Sequence, residues 1–455
     1  VAAVFMIAVL AACDGRPMHA ARTAIMKTAA TTSIPRPSRP FGAEGRELSL
    51  FDQMLNRPIY IINWNCWYLK LIKKMPLSVP TLNSSNPLHP RKEAELTNAD
   101  TERRFFIANE EDILQGRTTD VYFARTLEIL RAKGMMGLKT AAEITVSKLP
   151  RDWKWGVYCG LEEVLRLLEG RDVDVWGLPE GTLFQSRTQS GIRLPLMTIK
   201  GAYSQFCLHE SPMLGMLSHS SGVATMAARC RKAAGTLPMI SFGVRRAHPA
   251  IAPMLDRSSY IGGCDGVSSI LGAEMLDRPA DGTMPHALII MFGEPAAAFK
   301  AFDEVMGPNV PRIVLADTFS DEKAEALVAA EAIEHLQGVR LDTPASRRGN
   351  FPEIVREVRW GLDVHGHRDV KIILSGGLDE TSIPPLVKAG ADGFGVGSSI
   401  SSAPGVDFAL DLMERDGRPV AKRGKFGGRK YVYRCPDCLG FEVTTSEEEV
   451  PKCRD

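Results

Sequence analysis

"VKIILSGG", Val370 to Gly377, is followed after one helix-like stretch by "GFGVGSS", Gly393 to Ser399, and the reading of this pair decides the fold. Both runs are apolar without alternating polar residues, and both end in small ones. A strand that is apolar throughout is covered on both faces, as in parallel sheets flanked by helices. The same rhythm extends back to Gly235, where "LPMISFGVRR", "CDGVSS", "HALIIMFG", "RIVLADTFS" and "GVRLDTP" read as further strands. Helical patterns such as "DEKAEALVAAEAIEHL" and "FPEIVREVRWGLDVHG" separate most of them. About six or seven such units predict an α/β fold, an incomplete or complete (β/α) barrel rather than an open sheet.

Sites in such barrels form at the C-terminal ends of the strands. The ends here carry Arg245, Arg246 and His248; Asp317; Arg340 and Asp342; Ser375, Gly376 and Gly377; and Gly395, Gly397 and Ser398. The two Gly-rich turns have little bulk, so their peptide N–H groups can approach an anion at helix N-termini, which predicts a phosphate site. Arg245 and Arg246 can grip a carboxylate or phosphate bidentately, with a surface ion pair as the plainer alternative. Asp317 and Asp342 can accept from ribose hydroxyls or hold a hydrated Mg²⁺. Helix N-capping explains Asp317 equally well and Asp342 less well. In "DGTMPHALIIMF", Asp281 to Phe292, a histidine opens what reads as a buried strand, so His286 either caps that strand or faces the site.

The chain of 455 residues has room for two or three domains, or for one barrel with additions. A net charge of +1 gives no sign of a nucleic-acid or membrane-surface partner. Residues 1–103 read as a disordered or non-native extension. It opens on "VAAVFMIAVLAAC", which resembles a lipoprotein leader but has no basic stretch ahead of it. Residues 104–235 read as an α+β domain: a helix over "DVYFARTLEILRA", strands "AAEITVS", "VDVWGLPEGTLF" and "LPLMTIKGAYSQF", the helix "LEEVLRLLEG", and linking helices from "SPMLGML" onward. The barrel spans 236–420. Residues 421–455 form a small zinc-knuckle-like segment, because Cys435 and Cys438 make a C-x2-C half-site and Cys453 follows, with the fourth ligand missing. Of nine cysteines the other six are scattered, which predicts a reducing, cytoplasmic compartment.

From about Phe105 to Arg434 a series of motifs follows in order: "TTDVYFART", "LPEGTLF", "SSGVATMAAR", "SFGVRRAHP", "SYIGGCDGVSSILGAE", "GTMPHALI", "LADTFSDE", "VRLDTPASRRGNF", "LSGGLDE" and "GFGVGSSISSA". In these the chain resembles the nicotinate phosphoribosyltransferase family, its shorter archaeal-type members in particular. The resemblance implies formation of nicotinate mononucleotide and pyrophosphate from nicotinate and 5-phosphoribosyl 1-pyrophosphate, with Mg²⁺, and with ATP as co-substrate phosphorylating His286. It implies that Tyr122 stacks on the pyridine ring across a homodimer interface and that Arg245 or Arg246 meets the nicotinate carboxylate. Arg340 and Asp342 would hold the sugar and pyrophosphate. Ser375, Gly376, Gly377 and Gly397 would receive the 5′-phosphate, with Arg229 a further phosphate contact. A structural Zn²⁺ on Cys435, Cys438 and Cys453 also belongs to this reading. One departure stands out: many relatives read Asp-Thr-Tyr-Asp where this chain has Asp317-Thr-Phe-Ser320. Quinolinate phosphoribosyltransferase is the nearest rival, needing no ATP, and a non-catalytic phosphoribosyl-metabolite-binding barrel is the rival outside enzymes.

Overall fold

The computed structural model describes residues 104–346, 349–447 and 451, together with the backbone of 65–66 and 69–72. Ordered structure was expected to begin near Arg104. Two strands ahead of it, β1 (Asn65–Cys66) and β2 (Leu69–Ile72), nevertheless pair with later ones, and the rest of 1–103 lies outside the described residues. The expected α+β region supplies β3 (Lys139–Val146), β4 (Gly156–Val157), β5 (Val173–Gly177), β6 (Leu183–Phe184) and β7 (Pro195–Ala202). β3 is buried over all but its first residue, since it lies inside the sheet with a neighbour on each side. The helices Val121–Ala132 and Leu161–Leu168 form where the periodicity placed them. The linking helices are one continuous helix, Glu210–Ala234.

The predicted barrel runs through β8 (Met239–Ser241), β9 (Gly266–Val267), β10 (Ile313–Leu315), β11 (Gly338–Leu341), β12 (Lys371–Leu374) and β13 (Gly393–Val396). All pairings in this sheet are parallel, in the order β10-β11-β12-β13-β8-β9. The sheet curls so that chain order is kept around it, but β9 and β10 are not paired. The barrel is therefore the incomplete one. "HALIIMFG" is not a strand: His286–Phe292 is a helix, entered through Pro285 and closed by Gly293 in the left-handed region at φ 77°. A run this short and this apolar has no period that separates a strand from a helix, and its helix lies in the stretch between β9 and β10, where no strand closes the barrel.

The expected domain limits need a second correction. Residues 408–419 belong not to the barrel but to the first sheet, where β14 (Phe408–Arg415) pairs with β3 and with β15 (Arg418–Pro419). The full order of that sheet is β15-β14-β3-β7-β5-β2. It is antiparallel throughout, so a returning strand can join it beside β3 without a crossover helix. The terminal segment forms a hairpin, β16 (Tyr431–Arg434) and β17 (Phe441–Thr444), with β1 on its edge. Lys430, just before β16, meets Glu143 of β3 at 2.8 Å, and both side chains are buried. Burial raises the Glu143 carboxyl, and the Lys430 charge opposes that shift.

The helix Glu210–Ala234 joins the two sheets. Gly222 sits where it crosses the chain before β14: a Cβ there would stand 2.3 Å from the Pro404 carbonyl oxygen, so only glycine fits. Near the helix end Arg231 is buried. It donates to the carbonyls of Gly263, Gly235 and Leu237 and is ion-paired with Asp265, which also accepts from the Met239 N–H. One guanidinium thus ties the helix to the starts of β8 and β9. Among the described residues no helix is long and apolar enough to cross a membrane. Arg231→Met should cost about 3 kcal/mol, because the carbonyls left behind are shielded from water; an unchanged denaturant midpoint would show that this tie is dispensable.

Candidate active site

The rim at the C-terminal ends of the parallel strands gathers most of the expected residues. Asp317 follows β10, and its side chain is 2% exposed. Its Oδ2 accepts the Asp342 N–H at 3.1 Å and the Thr343 hydroxyl at 2.9 Å, so it bridges the ends of β10 and β11. Its Oδ1 is buried with no hydrogen-bond partner among the described residues. Nε2 of His286 lies 3.8 Å from this oxygen. Burial raises the Asp317 carboxyl; the Thr343 hydroxyl, His286 and the Asp342 N–H pull it back, and the Asp342 charge adds to the rise.

His286 is the first residue of its helix and is 38% exposed at the side chain, with Nδ1 3.1 Å from the Thr318 hydroxyl. It therefore faces the rim rather than capping a strand. The segment ahead of it is held by Arg340 of β11, whose Nη2 donates to the Met284 carbonyl at 3.3 Å. The Arg340 Nε is buried without a partner among the described residues, and its guanidinium lies over the Phe242 ring at 5.6 Å. Burial lowers the Arg340 pKa, Asp342 and Asp317 raise it, and the charge of Arg245 lowers it further. Arg245 and Arg246 are exposed on a 3₁₀ turn, Val244–Arg246, rather than at the end of a strand.

The two glycine-rich turns follow the neighbouring strands β12 and β13. Ser375 donates to Asp342 Oδ1 at 3.0 Å, and Gly376 and Gly377 both take positive φ, 90° and 70°. Neither turn opens a long helix. The helix after β12 starts only at Ile383, and the one at Ser398 ends at Ser401. The predicted help from helix dipoles is therefore slight, and the peptide N–H groups themselves are what an anion would meet. Gly395 is not part of the turn: it lies on β13, where a Cβ would meet the Phe242 ring at 2.3 Å. Gly397 follows β13 and approaches the Phe242 carbonyl.

Two expected residues make their described contacts with groups other than the rim carboxylates. Arg229 pairs with Glu380, in the loop after the Ser375 turn, at 3.2 Å and lies over Trp153 and Trp155. Tyr122, on the helix Val121–Ala132, is 56% exposed, with its ring against that of Phe123 on the same helix. Partial desolvation, Asp120 and Glu210 raise its phenol; burial pushes the Glu210 carboxyl itself up to about 7.

In the terminal hairpin Cys435 is buried and Cys438 accepts from the Gly440 N–H at 3.4 Å, while Cys453 lies outside the described residues. Among the described residues no group of three or more His, Cys, Asp or Glu is placed to hold a metal.

Sequence reasoning missed Thr318, Thr343 and Glu325. The hydroxyls had a signal, because Asp-Thr follows both β10 and β11, and a hydroxyl beside a rim carboxylate can orient it. Glu325 had none: a glutamate in a first helical turn is ordinary. The Ser320 departure is explained in part. Asp321 caps the next helix through the Ala324 N–H, and Ser320 is held by its own backbone N–H, donated to Glu325.

Two family models match the chain: the N-terminal domain of quinolinate phosphoribosyl transferase over residues 120–221 and its C-terminal domain over residues 223–411. A nicotinate phosphoribosyltransferase of Mycobacterium tuberculosis is 29% identical over 74% of this chain and 81% of its own. One from Bacillus subtilis is 27% identical over 70% and 72%. Among solved structures, nicotinate-nucleotide pyrophosphorylase from Pyrococcus furiosus is 53% identical with a TM-score of 0.73, covering 77% of this chain and 88% of that one. Human nicotinic acid phosphoribosyltransferase shares the fold, at 21% identity and a TM-score of 0.57 over 73% and 82%.

Because burial raises the Asp317 pKa, protonation of this carboxyl favours the fold. The penalty is absent below the ordinary carboxylate range and sets in as pH rises through the raised value. Asp317→Asn should therefore match the parent's stability near pH 4 and exceed it at pH 8 by denaturant unfolding, while losing activity.

Proposed function

The chain belongs to the family that the quinolinate phosphoribosyl transferase domain models describe, and, because nicotinate phosphoribosyltransferases are similar to it over most of their length, we propose that it joins nicotinate to 5-phosphoribosyl 1-pyrophosphate, giving nicotinate mononucleotide and pyrophosphate. The observation that carries the reading is the rim itself. Asp317 and Asp342 follow the neighbouring strands β10 and β11, Arg340 lies on β11, and His286 faces Asp317 from its own helix, with a buried carboxylate oxygen and a buried guanidinium N–H left over for a ligand.

In this reaction the pyridine nitrogen forms a bond to the anomeric carbon as the bond to pyrophosphate breaks. Positive charge grows on the sugar and negative charge on the leaving group, so positioning and charge complementarity dominate. Arg340 and Arg245 suit the anionic groups, with Arg245 or Arg246 taking the nicotinate carboxylate. Asp342 suits the sugar hydroxyls. The Ser375-Gly376-Gly377 turn, with Gly397 and Ser398, suits the 5′-phosphate. Asp317 and Asp342 fit a hydrated Mg²⁺, which prefers one or two carboxylates plus substrate oxygens, and the partnerless Asp317 Oδ1 supports this. When bound, the ion would neutralise charge on the pyrophosphate.

ATP coupling through His286 is part of the proposal. Its imidazole, 3.8 Å from one Asp317 oxygen and bonded to Thr318, is held as a nucleophile needs to be: the nitrogen–phosphorus bond forms, the β–γ bridge of ATP breaks and ADP leaves. Two further parts rest on smaller observations. A homodimer is supported by exposed apolar side chains on the helices between β9 and β10, among them Ile270, Met275, Ile290 and Met291, and by Tyr122, which needs a second subunit to meet a pyridine ring. A structural Zn²⁺ on Cys435, Cys438 and Cys453 is supported by the tight turn and the N–H donated to Cys438 Sγ. Free cysteines and small-molecule substrates fit a cytoplasmic setting.

The match to quinolinate phosphoribosyl transferase domain models keeps quinolinate as the rival substrate. Purified protein given nicotinate, phosphoribosyl pyrophosphate and Mg²⁺ should form nicotinate mononucleotide, faster with ATP. His286→Ala should lose the ATP-dependent increment. Turnover of quinolinate in place of nicotinate would overturn the substrate, and an intact increment in His286→Ala would overturn the role of the histidine.

A further inference from the structure

We infer that Glu325 is a positioning residue for His286, acting through the turn that carries Thr318. Glu325 lies in the helix Glu322–Ala332 and is 1% exposed. Its carboxylate accepts three consecutive peptide N–H groups: Thr318 on Oε2 at 2.8 Å, and Phe319 and Ser320 on Oε1 at 2.5 and 2.8 Å. Successive N–H groups that point at one spot form a nest, a concavity built for an anion. Here the chain's own carboxylate fills it. A buried carboxylate is costly unless its lone pairs are used, and three charge-assisted bonds use them.

The turn so held is the one that meets the histidine. Asp317 precedes it and faces Nε2 of His286, and the Thr318 hydroxyl lies 3.1 Å from Nδ1. A hydroxyl can donate or accept, so the bond serves either tautomer; what it fixes is the ring plane, and with it the direction in which Nε2 faces. Without Glu325 three N–H groups would turn toward other acceptors, and the Thr318 hydroxyl would lose its place. The chain therefore has two supports behind one imidazole: Arg340 holds the segment before it through the Met284 carbonyl, and Glu325 holds the hydroxyl beside it.

The inference rests on the proposed role of His286, but its test does not need turnover. The rate at which diethyl pyrocarbonate modifies His286 in the full chain, read by peptide mass spectrometry, reports how the ring is held. His248, exposed and bonded to the Ala250 N–H, serves as internal reference. Glu325→Gln keeps the side-chain length but sets an amide N–H against one of the three donors; Thr318→Val removes the hydroxyl at constant shape. Each should raise the rate at His286 roughly fivefold relative to His248, the ratio that one net hydrogen bond supports. Thr318→Ser should restore the parent's rate, and the double variant should match the single ones, because both act on one contact. The ATP-dependent increment of nicotinate turnover should fall in step with the labelling. An unchanged His286 rate in Glu325→Gln, or a Thr318→Val variant that behaves unlike it, would overturn the inference. A parent protein that turns over no nicotinate would sink the proposed reaction and leave the labelling to decide the role of Glu325.

Discussion

The two oxygens of Asp317 divide the organisation of this molecule between them. Oδ2 is taken by the backbone N–H of Asp342 and the hydroxyl of Thr343, which pins the end of one strand to the end of the next. Oδ1 is left buried and partnerless, toward His286. A carboxylate fully satisfied in this way would be inert packing, and one wholly unsatisfied would not stay ionised in such a place. Half-satisfied, it is held rigidly and still has an acceptor to offer. Catalytic sites commonly accept this kind of local cost, because a group already desolvated and oriented needs no reorganisation when the ligand arrives.

The helix that carries His286 lies in the chain between β9 and β10, the two strands of the parallel sheet that stay unpaired with each other. With the seam open, a short helix presents its first residue to the ends of β10 and β11, and Arg340 fastens it there. The rest of the chain keeps this geometry stiff. One continuous helix carries Arg231 into the base of the parallel sheet and Gly222 against the chain that leaves it, and β14 then returns to the antiparallel sheet beside β3. The same helix carries Arg229, whose pairing with Glu380 fastens the loop beyond the Ser375 turn.

Much of this could be read from the residues in order. The mostly apolar runs fall on all six parallel strands, and the polar or glycine residue after most of them marks the rim, because a parallel strand is covered on both faces and readily turns polar where it leaves the sheet. Asp317, Asp342 and Ser375 come from that rule alone; Arg340, one residue inside β11, does not. The errors have physical reasons too. "HALIIMF" carries no period that separates helix from strand, and Gly395 looks like a turn residue until the Phe242 ring is seen against it.

Local sequence thus determined the strand and helix types over most of the parallel sheet and the identity of the chemical groups at its ends, since both follow from which residues a short stretch can bury and which it cannot. Only the tertiary structure decided which sheet residues 408–419 join, where the barrel stays open, and which atoms of the rim are already used. Those are questions of partners distant in sequence: whether the Asp317 oxygen is free depends on Asp342 and Thr343, and whether the His286 ring is held depends on Thr318 and, behind it, Glu325. No window of the sequence contains them together, and hydrogen bonds are made between atoms that meet in space.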